Sequence, residues 1–406
     1  MTIMGLGRFG GGLGVTKWFL EQGSDVILTD LATPEELEIQ LRELGSHEKL
    51  TLVLGEHREE DFVNTDLVIA NPAVSRPWDN PYLKRAWEND VQVTTEIELV
   101  VARLPREQII GVTGTSGKST TVSMIHAAIL ASGICSHLAG NIGGSILNNL
   151  DSVGKSDVVI LELSSAMLWW LHKNDCWSPH VAVLTNIKEN HLDWHGSFDE
   201  YSRCKRFLFE HQTDQDVALT QDPKASFANL SVLGKHNELN AAVAFLAAIE
   251  MGADTCSARK AIQEFSGLPH RLQKVSNCFY NDSKSTTPLA TKLAVDSFDD
   301  PSKIHLIVGG YDKKVDLTLL AGQSSRVAKM YAIGETASAI VQLSGEQVQD
   351  CVTLERAVEV AMQSMGDGDT LVLSPGCASW DQFANYENRG ELFCSLINNA
   401  LHQQVR

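Results

Sequence analysis

The chain has 406 residues, 43% hydrophobic and 21% charged, the composition of an ordinary globular protein and not of a disordered one. Its 33 Lys and Arg against 51 Asp and Glu give a net charge of −18, which argues against nucleic acid or an anionic membrane surface as partner but leaves room for small phosphorylated ligands. No apolar run reaches the ~18 residues of a membrane span, and the eight cysteines contain no CxxC pair, the pattern of reduced thiols in a cytoplasmic enzyme.

The opening MTIMGLGRFGGG has no basic region followed by an apolar stretch, so no signal peptide is expected. Its first strand, Thr2-Ile3-Met4, is short against the ~5 residues usual for a parallel strand, which leaves open a start further upstream. Apolar, β-rich runs then recur at 25–30, 66–71, 108–114, 157–165, 180–187, 303–310, 329–334 and 369–376. Helical patterns lie among them, at 198–211, 238–251 and 354–365 for example, and this alternation predicts βαβ units and parallel sheets. Breaks at ARLPREQ (102–108) and FSGLPHR (265–271) divide the chain into expected domains 1–104, 105–268 and 269–406. The expected fold class is α/β: a Rossmann-like N-terminal domain, a central P-loop ATPase-like domain with a parallel sheet, and a Rossmann-like C-terminal domain.

Gly5-Leu6-Gly7-Arg8-Phe9-Gly10 matches GxGxxG after a strand, and Asp30 ends the next strand. Glycines there let backbone N–H groups approach a diphosphate, although a tight turn without ligand needs the same residues. A nicotinamide-dependent dehydrogenase would explain this motif alone. The stronger signal is Gly114-Thr115-Ser116-Gly117-Lys118-Ser119-Thr120, between a strand and a helix. Successive N–H groups can wrap phosphates, Lys118 can neutralise the β/γ charge, and the Ser119 hydroxyl can reach Mg²⁺. Val112 stands where the longer GxxxxGK[ST] form has its first glycine.

Downstream, Glu162 ends an apolar strand, where a carboxylate beside a phosphate loop suits Mg²⁺ better than a solvated edge does. His191 follows the next strand and could ligate metal or donate to phosphate; His195 is a weaker candidate that could merely pack. Lys205 reads by itself as a surface lysine on a helix. Asn237 and Asn240 open a helix, where Asn237 could cap or bond a base. In the last third, polar clusters follow three strands, at 281–286, 309–314 and 374–383. Loops at strand ends are where an α/β domain binds its ligand, and three together are more than turn chemistry requires.

The order of these segments carries more than any one of them. TGTSGKSTT, GNIGG, ELSS, NIKENHLDWH, YSRCK, GKHNELNAA, GLPHR, NDSKSTT, VGGYDKK and SPGCASWDQF, with Arg389-Gly390 after it, resembles the Mur ligase family along nearly the whole chain, most closely its D-glutamate-adding branch. The resemblance implies a first domain holding the UDP of a sugar acceptor, a second holding ATP and Mg²⁺, and a third that closes over both and holds an amino acid. It implies phosphorylation of the carboxylate of UDP-N-acetylmuramoyl-L-alanine by ATP, followed by attack of the D-glutamate amine. Roles carried over are Gly114, Thr115, Ser116, Gly117, Lys118, Ser119 and Thr120 for the phosphates, with Lys118, His191 and Lys205 catalytic. Ser119, Glu162, His191 and a carbamylated Lys205 are implied around the metal. Asn237, Asn240, Arg271 and Asp282 are implied for the nucleotide. Gly7, Asp30, Asn71 and Asn141 are implied for the acceptor, and Lys284, Thr286, Lys313, Ser379 and Tyr386 for the amino acid. A cytoplasmic monomer acting on small molecules is the corresponding expectation.

Several positions depart from the family pattern. Ser116 stands for the usual Asn, Ala166-Met167-Leu168-Trp169 for Phe-Gln-Leu-Glu, Asn190 for Asp, Trp194 for Arg and Thr287 for Asn. Most of these lie toward the acceptor and metal, so another amino acid, L-glutamate for example, or a modified acceptor remains an alternative. A catalytically dead nucleotide-binding protein is disfavoured by the presence of Lys118, Glu162, His191 and Lys205.

Overall fold

The computed structural model describes residues 1–6, 11–220, 225–234 and 236–404. Gly7, an expected acceptor contact, lies outside the described residues. The chain divides into two compact units, one of residues 1–227 and 239–262, the other of 228–238 and 263–406.

The first unit holds two five-stranded parallel sheets. The N-terminal sheet comprises β1 (Thr2–Met4), β2 (Val26–Asp30), β3 (Leu50–Leu54), β4 (Leu67–Ala70) and β5 (Gln92–Thr94), in the order β3-β2-β1-β4-β5. Its order reverses between β1 and β4, which opens a crevice at the carboxyl ends of those strands. The central sheet comprises β6 (Ile109–Thr113), β7 (Ser136–Gly140), β8 (Val158–Glu162), β9 (Val181–Leu184) and β10 (Val217–Leu219), in the order β10-β9-β6-β8-β7. The strands β6 and β8 are buried along their whole length, which is why they read as unbroken apolar runs and not as alternating ones.

One apolar core joins both sheets of this unit. Ile97, Val100 and Val101 of the helix Glu96–Val101 share it with Leu168 and Leu171 of the helix Ser165–Asn174. Gly14, in the first helix, lies so close to Ser145 that a Cβ there would overlap its side chain, and Ser145 Oγ donates to Glu96 Oε1 (2.7 Å). Burial raises the Glu96 carboxyl above its ordinary range.

The second unit is built on one six-stranded sheet of β11 (Gln273–Ser276), β12 (Phe279–Asn281), β13 (Ile304–Gly309), β14 (Lys329–Ile333), β15 (Val348–Val352) and β16 (Thr370–Leu373). Their order is β11-β12-β16-β13-β14-β15. All neighbours run parallel except β11, which forms an antiparallel edge with β12. The expected Rossmann-like parallel sheet thus gains one antiparallel edge, where a two-residue connection (Asn277-Cys278) is too short for a crossover. Apolar cores lie on both faces of this sheet. Among the described residues, no helix is long and apolar enough to cross a membrane.

Candidate active site

The phosphate-type loop leaves β6 at Thr113 and enters the helix Lys118–Ala131. Two glycines permit its path. Gly114 has φ +152° and Gly117 φ +85°, and a Cβ would overlap Thr185 Oγ1 at the first and crowd Asn240 Oδ1 at the second. The segment after β9 then cradles the loop. Thr115 N–H donates to Asn186 O (2.9 Å), Ser116 N–H donates to Asn186 Oδ1 (3.1 Å), and Thr185 Oγ1 and Asn186 Nδ2 donate to Ser116 O (2.7 and 2.8 Å). Thr115 Oγ1 also donates to Lys188 O (3.0 Å) and lies 3.0 Å from the buried Tyr201 hydroxyl.

Two lysines meet beneath this loop. Lys118 Nζ donates to Gly114 O (2.9 Å) and Thr115 O (3.3 Å). Lys205, on the helix Phe198–Glu210, is only 2% exposed, and its Nζ donates to the same Gly114 O (2.9 Å). Burial, reinforced by the nearby charge of Lys118, lowers the Lys205 ammonium to a pKa of about 7. It is therefore not the surface lysine that its sequence position suggests.

Glu162 ends β8 and is 2% exposed. Its Oε1 accepts from Asn141 Nδ2 (3.0 Å), while its Oε2 is buried without a hydrogen-bond partner among the described residues. Asn141 is held there because its own N–H donates to Glu162 O (2.8 Å) and because Gly140 (φ +88°) lets β7 pass against that carbonyl. A buried carboxylate oxygen with nothing to bond is the expected signature of a cation ligand, so these residues fit a divalent metal. His191 is exposed, has φ +52° and lies with its ring 6.1 Å from Tyr201. A positive φ is uncommon outside glycine, and such strain concentrates at functional positions. Ser119 and Thr120 occupy the first turn of the helix after the loop, and Asn240 abuts Gly117.

In the N-terminal sheet, Asp30 Oδ2 accepts from Leu6 N (2.8 Å) and its Oδ1 from Ala32 N (2.9 Å). Asn71 packs against Gly5 and accepts from Ala73 N through Oδ1 (2.9 Å). Both residues shape the crevice at the ends of β1, β2 and β4. His195 is buried, with Nε2 2.8 Å from Ser165 Oγ.

The second unit gathers the remaining candidates. The three polar loops follow β12, β13 and β16, which are neighbours in the sheet. Asp282 is buried, accepts from Leu272 N (3.0 Å) and Ser374 Oγ (2.7 Å), and is raised by burial to a pKa of about 6. Arg271, exposed, is near enough to moderate that shift. Lys284 Nζ sits 5.0 Å above the Tyr386 ring, and Lys313 Nζ 4.8 Å above that of Trp380. Ser379 is buried in the loop after β16, and Thr286 is half-buried in the loop after β12. Asn237 donates through Nδ2 to Leu233 O (2.7 Å) at the start of its helix.

Some supporting residues carry no local signal in the sequence. Thr185 and Asn186 reach the loop because β9 lies beside β6, and Tyr201 reaches it from the helix Phe198–Glu210. Arg389 is fully buried and forks between two loops: Nε and Nη2 donate to Ser283 (Oγ 3.0 Å, O 2.9 Å), Nη1 to Ala378 O (3.1 Å) and Nη2 to Cys377 O (3.1 Å). Only the Arg-Gly pair in the last quoted motif hints at it.

Comparison with known proteins gives matches along the chain. The Mur ligase MurD-like N-terminal domain matches residues 1–95, the Mur ligase middle domain 112–229 and the Mur ligase glutamate ligase domain 270–377. The UDP-N-acetylmuramoylalanine–D-glutamate ligase of Desulfatibacillum aliphaticivorans is 33% identical, covering 95% of this chain and 96% of its own. The chain belongs to the Mur ligase family. A ligase of the same name from Geobacillus kaustophilus is 32% identical to this Mur ligase over 98% of the chain and 97% of its own. Solved structures with the same fold include UDP-N-acetylmuramate-alanine ligase MurC of Thermotoga maritima (TM-score 0.54, 18% identity, 98% of this chain and 99% of that one). MurF of Acinetobacter baumannii is another (TM-score 0.56, 16% identity, 92% and 91%). As a Mur ligase the chain is an ATP-dependent amide-forming enzyme, and the dehydrogenase reading of its N-terminal glycines falls away.

Proposed function

We propose that this Mur ligase adds D-glutamate to UDP-N-acetylmuramoyl-L-alanine in peptidoglycan synthesis, through an acyl phosphate made with ATP. Full-length similarity to ligases named for that reaction supports the reading. The observation that carries the chemistry is the convergence of Lys118, Lys205 and Glu162 around the Gly114 loop. Phosphoryl transfer needs mainly positioning and charge neutralisation, which this set provides.

In this reading the N–H groups of 114–120 and the Lys118 ammonium hold the ATP phosphates. Ser119, Glu162, His191 and Lys205 are the groups that would hold Mg²⁺, which supplies charge neutralisation on the phosphates when bound. With its ammonium pKa lowered to about 7, Lys205 can act as a free amine that forms an N–C bond to CO₂ and releases one proton to solvent, leaving an anionic carbamate. Asn237, Asn240, Arg271 and Asp282 serve the nucleotide, and Asp30, Asn71 and Asn141 the acceptor. The second unit's Lys284, Thr286, Lys313, Ser379 and Tyr386 take the amino acid, whose two carboxylates suit two lysines with hydroxyls beside them. The domain limits 1–104, 105–268 and 269–406, a monomeric state and a cytoplasmic location belong to the same proposal.

One observation favours a variation at the acceptor end. The rings of Trp169 and Trp194, at positions that depart from the family pattern, lie 6.2 Å apart and each 5.4 Å from Trp78 in the loop after β4. This indole cluster would suit a modified acceptor. Phosphate release stimulated by D-glutamate and abolished in Lys118→Ala tests the site; stimulation that survives the substitution contradicts it.

A further inference from the structure

Away from the residues assigned to the ligase reaction, two imidazoles and a carboxylate converge where two helices end. His172 lies in the last turn of Ser165–Asn174, Glu210 is the last residue of Phe198–Glu210, and His211 is its C-cap. His172 Nδ1 is 3.5 Å from His211 Nε2 and 3.5 Å from Glu210 Oε2. Among the described residues this is the one group of three such side chains whose ligand atoms all fall within 4.8 Å of one another.

Four features make this a site and not a chance meeting. Tetrahedral bonds of ~2.0–2.1 Å separate ligand atoms by roughly 3.3–3.4 Å, close to the 3.5 Å that separates His172 Nδ1 from its neighbours in both His211 and Glu210. The His172 ring is fixed by stacking on Phe207, with centroids 3.7 Å apart and planes 7° apart. The His211 backbone is fixed by donation of its N–H to Ser178 Oγ (3.0 Å). Both helices present their carboxyl ends, where the partial negative charge of unpaired carbonyls favours a cation. Half-buried rings and an exposed Glu210 leave a further coordination position open to water.

We propose that His172, Glu210 and His211 bind a divalent transition-metal ion of the zinc type, separate from the Mg²⁺ of the ligase reaction. Two imidazoles and one carboxylate suit such an ion, whereas Mg²⁺ prefers oxygen ligands and retains water. The ion clasps the ends of two helices whose other residues include Ser165 and Lys205, and it acts on stability rather than on the chemistry. The inference does not depend on which amino acid the ligase uses.

Zinc titration of the full chain against a chromophoric chelator, in excess Mg²⁺, tests the site, with Co²⁺ absorption as a second readout. The wild type should bind one Zn²⁺ that His172→Ala and His211→Ala lose and that Glu210→Gln holds at least about tenfold more weakly. Zinc should raise the Tm of the wild type and not of His211→Ala, while all variants keep the wild-type ligase rate in Mg²⁺. Should His172→Ala fold poorly for want of its stack on Phe207, His211→Ala still decides. No zinc bound in excess Mg²⁺, or equal stoichiometry and affinity in the wild type and His211→Ala, would overturn the proposal. Unchanged binding in Glu210→Gln would overturn the three-ligand assignment.

Discussion

Lys118 and Lys205 send their ammonium groups to one acceptor, the Gly114 carbonyl, each at 2.9 Å. Two cations sharing one oxygen in a buried place is unfavourable unless one of them gives up its charge. Lys205, the more buried, is the one held near a pKa of 7, lowered by burial and by the neighbouring charge of Lys118. The arrangement therefore gives the two lysines different charge states, which the sequence alone does not show.

That separation predicts chemistry. Lys205→Ala should lose nearly all ligase activity and recover part of it with added short carboxylates, which replace a carbamate. Wild-type enzyme stripped of CO₂ should lose activity and regain it with bicarbonate. Absence of both rescues, measured as phosphate release, would leave Lys205 as a simple cation.

The same group gives a pH signature in stability. Its folded pKa of about 7 lies below the ordinary ~10.4 of lysine, so between those values the unfolded chain binds more protons. This contribution to stability therefore rises with pH across that window. In CO₂-free buffer, the difference between wild type and Lys205→Met should shift toward the wild type by on the order of 2 kcal/mol from about pH 7 to about pH 9. Urea unfolding curves at several pH values measure it, and parallel curves for the two proteins would show that Lys205 stays charged.

Glycine substitutions should divide by what a Cβ would meet. Gly114→Ala should cost on the order of 3 kcal/mol, from overlap with Thr185 added to backbone strain. Gly133 also has positive φ (+77°) but open space around it, so Gly133→Ala should cost only about 1–2 kcal/mol. Chemical denaturation compares them, and equal losses would mean that the loop can shift away from Thr185.

Arg389 should prove structural for the second unit. Its removal leaves the buried carbonyls of Ser283, Cys377 and Ala378 without this donor, and Arg389→Ala should lower stability by at least about 3 kcal/mol. Arg389→Lys should recover little, because an ammonium lacks the planar fork. A lysine variant with wild-type denaturation would show that charge alone suffices.

What could be read in the sequence follows from where the physics is local. β6, β8 and β13 are buried on both faces and advertise themselves as apolar runs. β7, Ser136-His137-Leu138-Ala139-Gly140, carries too little β-branched or alternating character to be read, whereas the three-residue β12, Phe279-Tyr280-Asn281, is marked only by the polar cluster that follows it. The phosphate loop was legible because a strand, glycines, Lys-Ser and a helix fall within a dozen residues. The burial of Lys205 and Arg389 was not, since each is enclosed by segments far away in the chain. The meeting of His172 and His211, 39 residues apart, likewise depends on how two helices pack.

The most direct test is turnover with product mass detection, using Mg-ATP, UDP-N-acetylmuramoyl-L-alanine and either D-glutamate or L-glutamate. D-glutamate-dependent phosphate release with formation of the UDP-muramoyl dipeptide, and none with L-glutamate, is the predicted result. ATP binding without turnover of either, or a product carrying a different amino acid, would contradict D-glutamate ligation and turn attention to Met167, Trp169 and Trp194.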